Sequence, residues 1–454
     1  MKKQIHMETL EHRIKSLFNQ QYRHFAESDS VAGAIRLAAF GRFEEAGFPT
    51  QKLEAWKNTD LSRVLKDDYC ILSPDRRQDV ENCQFHCDIK GLAGYEIPVI
   101  NGLCNNKKLN VLQNGIVFGS LSVAMKEAPE LVKPHFGQYA KNLDGLSALN
   151  DALWLDGVFL YLPDNVILER PVQMMNVYNS QQNLFVSVRN LVLVGKNSKV
   201  TLLHCDDSTN HQRIFSNTVT EVNIAQNAEI EYYKLQNINN ETAIINRMMF
   251  HQEAGSRLNV NQISLNGGLL RNDIHTRLSG EYAEAEISGA YLMDKNQFID
   301  NHIFIHHAMP HCTSRQEFRG VLDDYAGTLF NGHVLVDKDA QKTQAFQSCR
   351  NIAVSDKAKI ETQPFLEIYA DDVKCSHGAS VGQLDNEALF YLRSRGIDED
   401  HARTLLMYAF VVGILDKIQI APLKERYADM IKGRLSGNLG ICEQCVLECS
   451  LKRT

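Results

Sequence analysis

Apolar side chains in the first 50 residues recur at the three- and four-residue spacing of amphipathic helices. The second of these helices would end near Gly47, and a shorter one is expected from Ser120 to about Ala128, before Pro129. The sequence therefore predicts a largely helical N-terminal domain over residues 1–150. The positions that define the first two helices are Leu10, Ile14, Leu17, Phe18, Tyr22 and Phe25, then Ile35, Ala39, Phe40 and Phe43.

The pattern changes near residue 155, where short runs rich in β-branched and aromatic residues replace the helical spacing. Such runs, separated by turn residues, favour an all-β region, which we place at residues 151–383. The clearest runs are Val158–Leu162, Val186–Val194, Val200–Leu203, Val219–Ile224 and Ile230–Tyr233.

A six-residue segment repeats through this region, with a small residue at its second position before an alternating strand pattern. Four copies begin at Asn197, Asn227, Gly255 and Tyr282, in steps of 30, 28 and 27 residues, and a fifth begins at Lys357. A period of this length with only β-strand texture predicts a parallel β-solenoid, whose stacked coils share one core. The alternative is an antiparallel sandwich with coincidental spacing, while the lack of a six-residue period argues against a left-handed hexapeptide helix.

Helical signals return over residues 384–436, which we predict to be a C-terminal helical domain. Asp385 and Asp398 stand at N-cap positions of two successive helices. The second helix is apolar nearly all round, which indicates burial in its own domain or under a partner. A cysteine-containing tail follows at residues 437–454.

Composition narrows the class of protein. The chain has 454 residues, of which 44% are hydrophobic and 23% charged, as expected of a globular protein with two or three domains. A net charge of −7 gives no reason to expect a nucleic-acid partner, and no apolar run is long enough to predict a membrane span. The N-terminus lacks a secretory pattern and the 11 cysteines are mostly scattered, so we expect a cytoplasmic protein with reduced thiols.

The segment Asp371–Gly378 contains the most informative candidate functional residues. In an extended strand, Cys375 and His377 would project from one face, about 6–7 Å apart. A thiolate and an imidazole so placed can bind a soft or borderline metal, act as nucleophile and base, or simply pack. Lys374 next to them could favour the thiolate, although its side chain would face the other way.

Two further sets of soft ligands are present. Four histidines and a cysteine fall between His302 and Cys312, and His302 and His306 would share one face of a strand. A metal contact there competes with histidines that face solvent or the core. The tail carries three cysteines that could bind zinc or iron, alone or shared between chains, or could have no role: Cys442, Cys445 and Cys449.

Signatures of common enzymes are weak. The chain has neither a phosphate-binding P-loop nor a His-Glu-x-x-His zinc motif, so we expect no ATP hydrolysis by this chain itself. Residues 378–382 match Gly-x-Ser-x-Gly, but a nucleophilic Ser380 needs a strand-to-helix turn that this β region does not predict. The paired carboxylates Asp323–Asp324 and Asp371–Asp372 would alternate faces in a strand and so do not form a ready acid/base couple.

Four stretches of the sequence form a further pattern: Pro364–Ala379, Leu389–Ile397, Ala340–Thr343 with Gln347, Asn351 and Ser355, and Glu54–Thr59. Together they resemble the SufB/SufD family of iron–sulfur cluster assembly proteins. The similarity extends over most of residues 155–415. The Lys-Cys-Ser-His-Gly form at residues 374–378 is similar to SufD rather than SufB.

The resemblance implies a fold and a role. It implies a right-handed parallel β-helix flanked by helical domains, serving as a non-enzymatic scaffold that pairs with a SufB-like sister subunit. Each of the two subunits would carry one SufC-like ATPase, whose dimerisation opens the site. His377 and Cys375 would hold a transient iron–sulfur cluster or iron at the sister interface, with no permanently bound cofactor, and the isolated chain could form a homodimer.

In this interpretation the C-terminal helices bind the ATPase. The residues assigned to that contact are Leu389, Phe390, Tyr391, Arg395, Leu405, Leu406, Ala409 and Phe410. The tail with its three cysteines departs from the family pattern. Two other functions stay open: a cytosolic structural adaptor in which Cys375 and His377 merely pack, and a polysaccharide-acting β-helix enzyme, which is less consistent with the Cys/His chemistry and the missing secretory signal.

Overall fold

The computed structural model describes residues 9–28, 32–74, 89, 91–140 and 143–437, and it is mainly β. A π-helical turn at Phe18–Tyr22 and short 3₁₀ turns at Glu54–Trp56 and Val64–Lys66 accompany the α-helices. The α-helices are α1 Leu10–Leu17, α2 Arg23–Ser28, α3 Gly33–Ala46, α4 Leu121–Glu127, α5 Pro129–Val132, α6 Gly145–Leu153, α7 Asn386–Ser394, α8 Glu399–Leu415 and α9 Ala421–Leu435.

The strands divide into a short N-terminal set and a long regular series. The first set is β1 Cys70–Ile71, β2 Tyr95–Ile100, β3 Leu103–Cys104, β4 Asn110–Val111 and β5 Val117–Ser120. The series is β6 Val158–Leu162, β7 Val172–Tyr178, β8 Leu184–Val194, β9 Lys199–Ser208, β10 Ile214–Ile224, β11 Glu229–Asn237, β12 Ala243–Gln252, β13 Arg257–Asn266, β14 Leu269–Leu278, β15 Glu284–Met293, β16 Phe298–His307, β17 Thr313–Leu322, β18 Gly327–Val336, β19 Gln344–Ala353, β20 Lys359–Ile368 and β21 Lys374–Gly382.

From β6 onward, the chain alternates between two parallel sheets and so winds into a β-solenoid of about 7 turns. Sheet A runs β20-β18-β16-β14-β12-β10-β8-β6-β5-β4, with β1 beside β8, and sheet B runs β21-β19-β17-β15-β13-β11-β9-β7-β2-β3. The predicted solenoid is therefore confirmed, and the antiparallel sandwich is wrong because the β6–β21 pairs are parallel.

The repeated segments mark one corner of each coil. Asn197, Asn227, Gly255 and Tyr282 all adopt a left-handed backbone, with φ between 55° and 66°, and each precedes a strand of sheet B. The copy at Lys357 is different: it precedes β20 in sheet A and does not continue the series. The first four copies are thus a structural repeat, and the fifth was an incorrect extension of it.

The predicted helices are confirmed, and two helices, the short α5 and the buried α6, were not predicted. Gly47 ends α3 with φ 62°, and Pro129 stops α4 and begins the separate helix α5. Helix α6 escaped prediction because it is short and buried on every side. It lies against sheet A, where the Asn150 amide donates to the carbonyls of Val188 at 2.9 Å and Asn217 at 2.8 Å.

Helices α8 and α9 pack on the outer face of sheet B, and α7 packs on α8. The amide of Asn261 donates to the Ile414 carbonyl at 2.9 Å, and Lys417 pairs with Glu286 and Glu317, each at 2.8 Å. Asp385 and Asp398 accept hydrogen bonds from backbone N–H groups of α7 and α8, as their predicted N-cap role requires. No helix of the described ranges is long and apolar enough to cross a membrane.

The two ends of the solenoid differ. The first coil is covered by the short antiparallel pairs β2–β3, β4–β5 and β5–β6. At the other end, β20 and β21 each have one neighbour strand, and their outer edges are unpaired within the described part of the chain. We call the edges of β20 and β21, with the coil interior between them, the open end.

Candidate functional site at the open end of the solenoid

Strands β20 and β21 are far more exposed than the strands before them. Every residue of β8 and β10 is buried, whereas every residue of β20 and β21 is half-buried or exposed. Unpaired strand edges with apolar side chains are a usual template for another chain. The exposed large apolar residues here are Phe365, Ile368, Tyr369 and Val381.

Cys375 and His377 lie on this open end, on the inward face of β21. In the parallel register, Cys375 is opposite Ala345 and His377 is opposite Gln347, and both β19 residues are buried inside the coil. The two side chains therefore share a face, as the strand geometry predicted. Cys375 is half-buried against the core, while His377 is exposed because no further coil of the described residues covers it.

The Cys375 thiol is not activated in this chain alone. Burial raises its pKa above the ordinary value, and a hydrogen bond from the Ala345 backbone only partly opposes this effect. Lys374 is exposed on the opposite face and does not favour the thiolate. Cys375 is therefore a protonated thiol at neutral pH until a metal or a partner's base removes the proton, which argues against a nucleophile–base pair.

Two glutamines continue the column of side chains beneath His377. Gln347 on β19 and Gln316 on β17 are in register with it, and they are 5% and 1% exposed. The amide nitrogen and oxygen of both side chains have no hydrogen-bond partner within the part of the chain that the structure describes. Buried polar groups in folded proteins are nearly always paired, so these four atoms require an explanation.

The histidines between His302 and Cys312 do not form one site. On the outer face, His302 lies 2.9 Å from Asp300 and His306 lies 2.9 Å from Asp337. His307 points into the coil and bonds Ser314, and His311 stacks on Tyr282 in a corner. His302 and His306 share the outer face as predicted, but each pairs with a different carboxylate, and His307 and His311 lie elsewhere, so the structure agrees with histidines that face solvent or the core.

No group of three or more His, Cys, Asp or Glu side chains in the described residues could hold a metal ion. The tail cysteines Cys442, Cys445 and Cys449 lie outside those residues, so their role stays open. Ser380 is in the extended strand β21 rather than a strand-to-helix turn, and the predicted exclusion of a nucleophile elbow is confirmed.

The residues assigned to the ATPase contact lie on α7, its C-cap Arg395 and α8, and Phe410 among them packs against Arg319 of β17 in sheet B. Phe390 is 74% exposed, and the side chains of α8 that are buried are different ones, such as Val411 and Ile414. The assigned residues that are exposed are Phe390, Tyr391, Arg395, Leu405 and Ala409, and those that are half-buried are Leu389, Leu406 and Phe410.

Comparison with known proteins identifies the family. Residues 176–410 match the SUF system FeS cluster assembly, SufBD core domain, and residues 8–174 match the SufBD protein N-terminal region. The chain belongs to the SufB/SufD family. It is therefore related to proteins of iron–sulfur cluster assembly, and the expected likeness to SufD is supported.

Curated relatives agree over nearly the full length. An iron–sulfur cluster assembly SufBD family protein of Synechocystis is 28% identical, covering 95% of this chain and 97% of the relative. The iron–sulfur cluster assembly protein SufD of Escherichia coli is 25% identical, covering 92% and 97% respectively. SufD of Bacillus subtilis is 29% identical, covering 88% and 93%.

The glutamine column is the part of this SufB/SufD-family site that sequence reasoning missed. Gln347 entered only as a residue of the family pattern, and Gln316 was not noticed. The signal was present in the spacing: Gln316 is 31 residues before Gln347, which is 30 residues before His377. One solenoid period separates each pair, so the three side chains stack in neighbouring coils.

Proposed function

We propose that this chain is a SufD-like scaffold subunit that assembles nascent iron–sulfur clusters with a SufB-like sister subunit and a SufC-like ATPase. The observation that supports this proposal best is the position of His377. It lies exposed on β21, whose outer edge is unpaired in the described part of the chain and where a second protein would dock.

The open end suits a sister protein of the same architecture. An incoming chain with its own strand edges would satisfy the unpaired backbone groups of β20 and β21 and bury Phe365, Ile368, Tyr369 and Val381. When the chain is isolated, a second copy can occupy the same edges and form a homodimer.

The ligand set is incomplete within this chain. Cys375 and His377 offer one sulfur and one nitrogen, both of which iron–sulfur chemistry uses, and the sister subunit would supply the remaining ligands. A cluster held between two proteins can be released when they separate. The cluster is therefore cargo, and the chain binds no cofactor permanently.

The ATPase would act through α7 and α8. Apolar side chains exposed on these helices, headed by Phe390 and Tyr391, offer a docking face next to the open end. An ATPase that dimerises on nucleotide binding, with one copy on each sister, would favour one relative position of the two arms and thereby open the site. ATP hydrolysis would belong to that partner and not to this chain.

The test is His377→Ala in the full chain, co-expressed with its sister and ATPase subunits. We expect the three-protein complex to form normally because His377 is exposed and has no hydrogen-bond partner among the described residues. Cluster formation in cells should fall at least tenfold, measured by the activity of a cluster-dependent reporter enzyme.

His211→Ala is the matched control, because His211 is also exposed but lies between β9 and β10, far along the solenoid from the open end. Reporter activity should be unchanged in this variant. Normal cluster formation in His377→Ala would sink the proposal and leave the structural adaptor, whose Cys375 and His377 only pack, as the better description.

A further inference from the structure

In the stacked column Gln316–Gln347–His377, several polar side-chain atoms form no hydrogen bond within the described residues. Both glutamine amides are buried without a partner, and no hydrogen bond to the exposed imidazole of His377 is formed by any described residue. Neighbouring parallel strands are about 4.8 Å apart, so the side chain of Gln347 lies within one residue's reach of His377.

The side-chain amide of Gln316 is badly placed to form a hydrogen bond with His377. The oxygen of Gln316 extends across the coil, to 3.0 Å from the point where a Cβ would sit on Gly332 in β18. It is also two strands away from β21. Gln347, in contrast, lies on β19, the strand next to His377. The exposed His377 side chain could rotate about its Cα–Cβ bond to reach it, and this rotation costs less free energy than leaving a buried amide unpaired.

We propose that Gln347 is a positioning residue for His377. Its amide oxygen accepts a hydrogen bond from one imidazole N–H, so that the other ring nitrogen keeps its lone pair and faces the open end. Histidines that bind metals usually donate their second N–H in this way, which fixes the tautomer and the ring orientation. The purpose of this orientation rests on the proposed function, but the hydrogen bond itself does not.

The tautomer of His377 can be measured without any cluster. The full chain is labelled with ¹⁵N-histidine, and the His377 signals are assigned by their loss in His377→Asn. Spectra are recorded at about pH 9, where ordinary imidazoles are neutral. We expect one tautomer to dominate, and Gln347→Met, which keeps the length of the side chain but removes the acceptor, to change the ratio about fivefold.

Two variants control this result. Gln347→Glu retains an acceptor oxygen at the same distance and should keep the wild-type tautomer. Gln344→Met makes the same exchange on the same strand, but Gln344 is exposed on the outer face and should leave the ratio unchanged. Gln347→Met and Gln344→Met should unfold near the wild-type urea concentration, whereas Gln347→Glu should unfold earlier because it buries a carboxylate at a position that is 5% exposed.

An unchanged ratio in Gln347→Met, or an equal change in Gln344→Met, would overturn the assignment. The failure of the proposed function looks different: normal cluster formation in His377→Ala with a shifted tautomer in Gln347→Met would leave the hydrogen bond in place without that purpose. If both inferences are correct, Gln347→Met also lowers reporter activity, about tenfold, in the assembled complex.

Discussion

Two histidines inside the solenoid are held in their neutral form. His204 is fully buried among Asn176, Tyr232 and Lys234, and burial together with the nearby ammonium lowers its pKa to about 3. His307 is also buried, and burial lowers its pKa to about 3. Neither can gain a proton in the folded chain near neutral pH, whereas in the unfolded chain both titrate near their ordinary value of about 6.5.

This difference predicts a loss of stability in mild acid. As pH falls below about 6.5, the unfolded chain binds protons at these positions and the folded chain does not, so stability decreases down to about pH 3. From pH 7 to pH 5 the loss is about 2 kcal/mol for each histidine. Urea unfolding of wild type and His307→Gln, which retains a partner for Ser314, measures it: the variant should lose about 2 kcal/mol less over this interval.

His211→Gln serves as the comparison, because His211 is exposed. Its unfolding free energy should depend on pH as that of the wild type does. If His307→Gln also kept the full wild-type slope, His307 would have to be protonated inside the coil, contrary to its burial against Ser314.

At the scale of elements, β20 and β21 each have one edge that pairs with no other described strand. Val381 of β21 is 53% exposed at an inward register position, so it would be buried by any coil added at the open end. We predict that Val381→Lys weakens binding to the sister subunit about 10- to 100-fold, because an ammonium group would then have to be desolvated where an apolar side chain packs. Sedimentation or calorimetry of the purified subunits measures the affinity.

A charge at an unrelated exposed position should have no such effect. Ile167 is 67% exposed in the connection between β6 and β7, and Ile167→Lys is therefore the control. Both variants should have wild-type thermal stability as isolated chains, because both side chains already face water. Unaltered sister binding in Val381→Lys would mean that the partner docks elsewhere.

At the scale of the whole molecule, the two proposed docking surfaces are separate. The edges of β20 and β21 end the solenoid, whereas α8 packs on the outer face of sheet B and α7 packs on α8. We predict that Phe390→Ala lowers ATPase-subunit affinity about tenfold or more and leaves sister binding unchanged. Pull-down of the two partners in parallel distinguishes these effects.

Val111→Ala is a suitable control for that experiment. Val111 is 67% exposed on β4, at the far end of sheet A, and its truncation should alter neither interaction. A loss of both partners in Phe390→Ala would indicate that the two surfaces are one, and retention of both would remove α7 from the ATPase site.

The fold could be predicted from the sequence where residues close in sequence determine the local backbone, as at the corners of the coils. Left-handed corners at Asn197 and Asn227 recur with the coil, and their small following residue made the repeat visible. Helix α6 could not be predicted in the same way, because its stability comes from the contacts of Asn150 with two strands distant in sequence. The segment at Lys357 was wrongly added to the repeat because its local sequence is similar to that of the other copies. It precedes a strand of sheet A, whereas they precede strands of sheet B.

The candidate site was predicted in part. Strand alternation was enough to place Cys375 and His377 on one face, and it did so correctly. It could not show that this face points into the coil, or that β21 is the last strand and so leaves His377 exposed. Nor could it show that Gln347 lies beneath, because that neighbour is defined by the stacking of whole coils rather than by any local pattern.

The unequal ends of the molecule limit how far it can assemble. Among the described residues, only one terminus of the coil offers strand edges over its full width, because the other is finished by β3 and β4, which are two residues long. Two such molecules can meet only at their accepting termini, and the product has none left. If molecules of this kind join through those termini, as proposed above, growth would stop at a pair, and a coil architecture that could otherwise polymerise into a fibre would give a closed two-body particle.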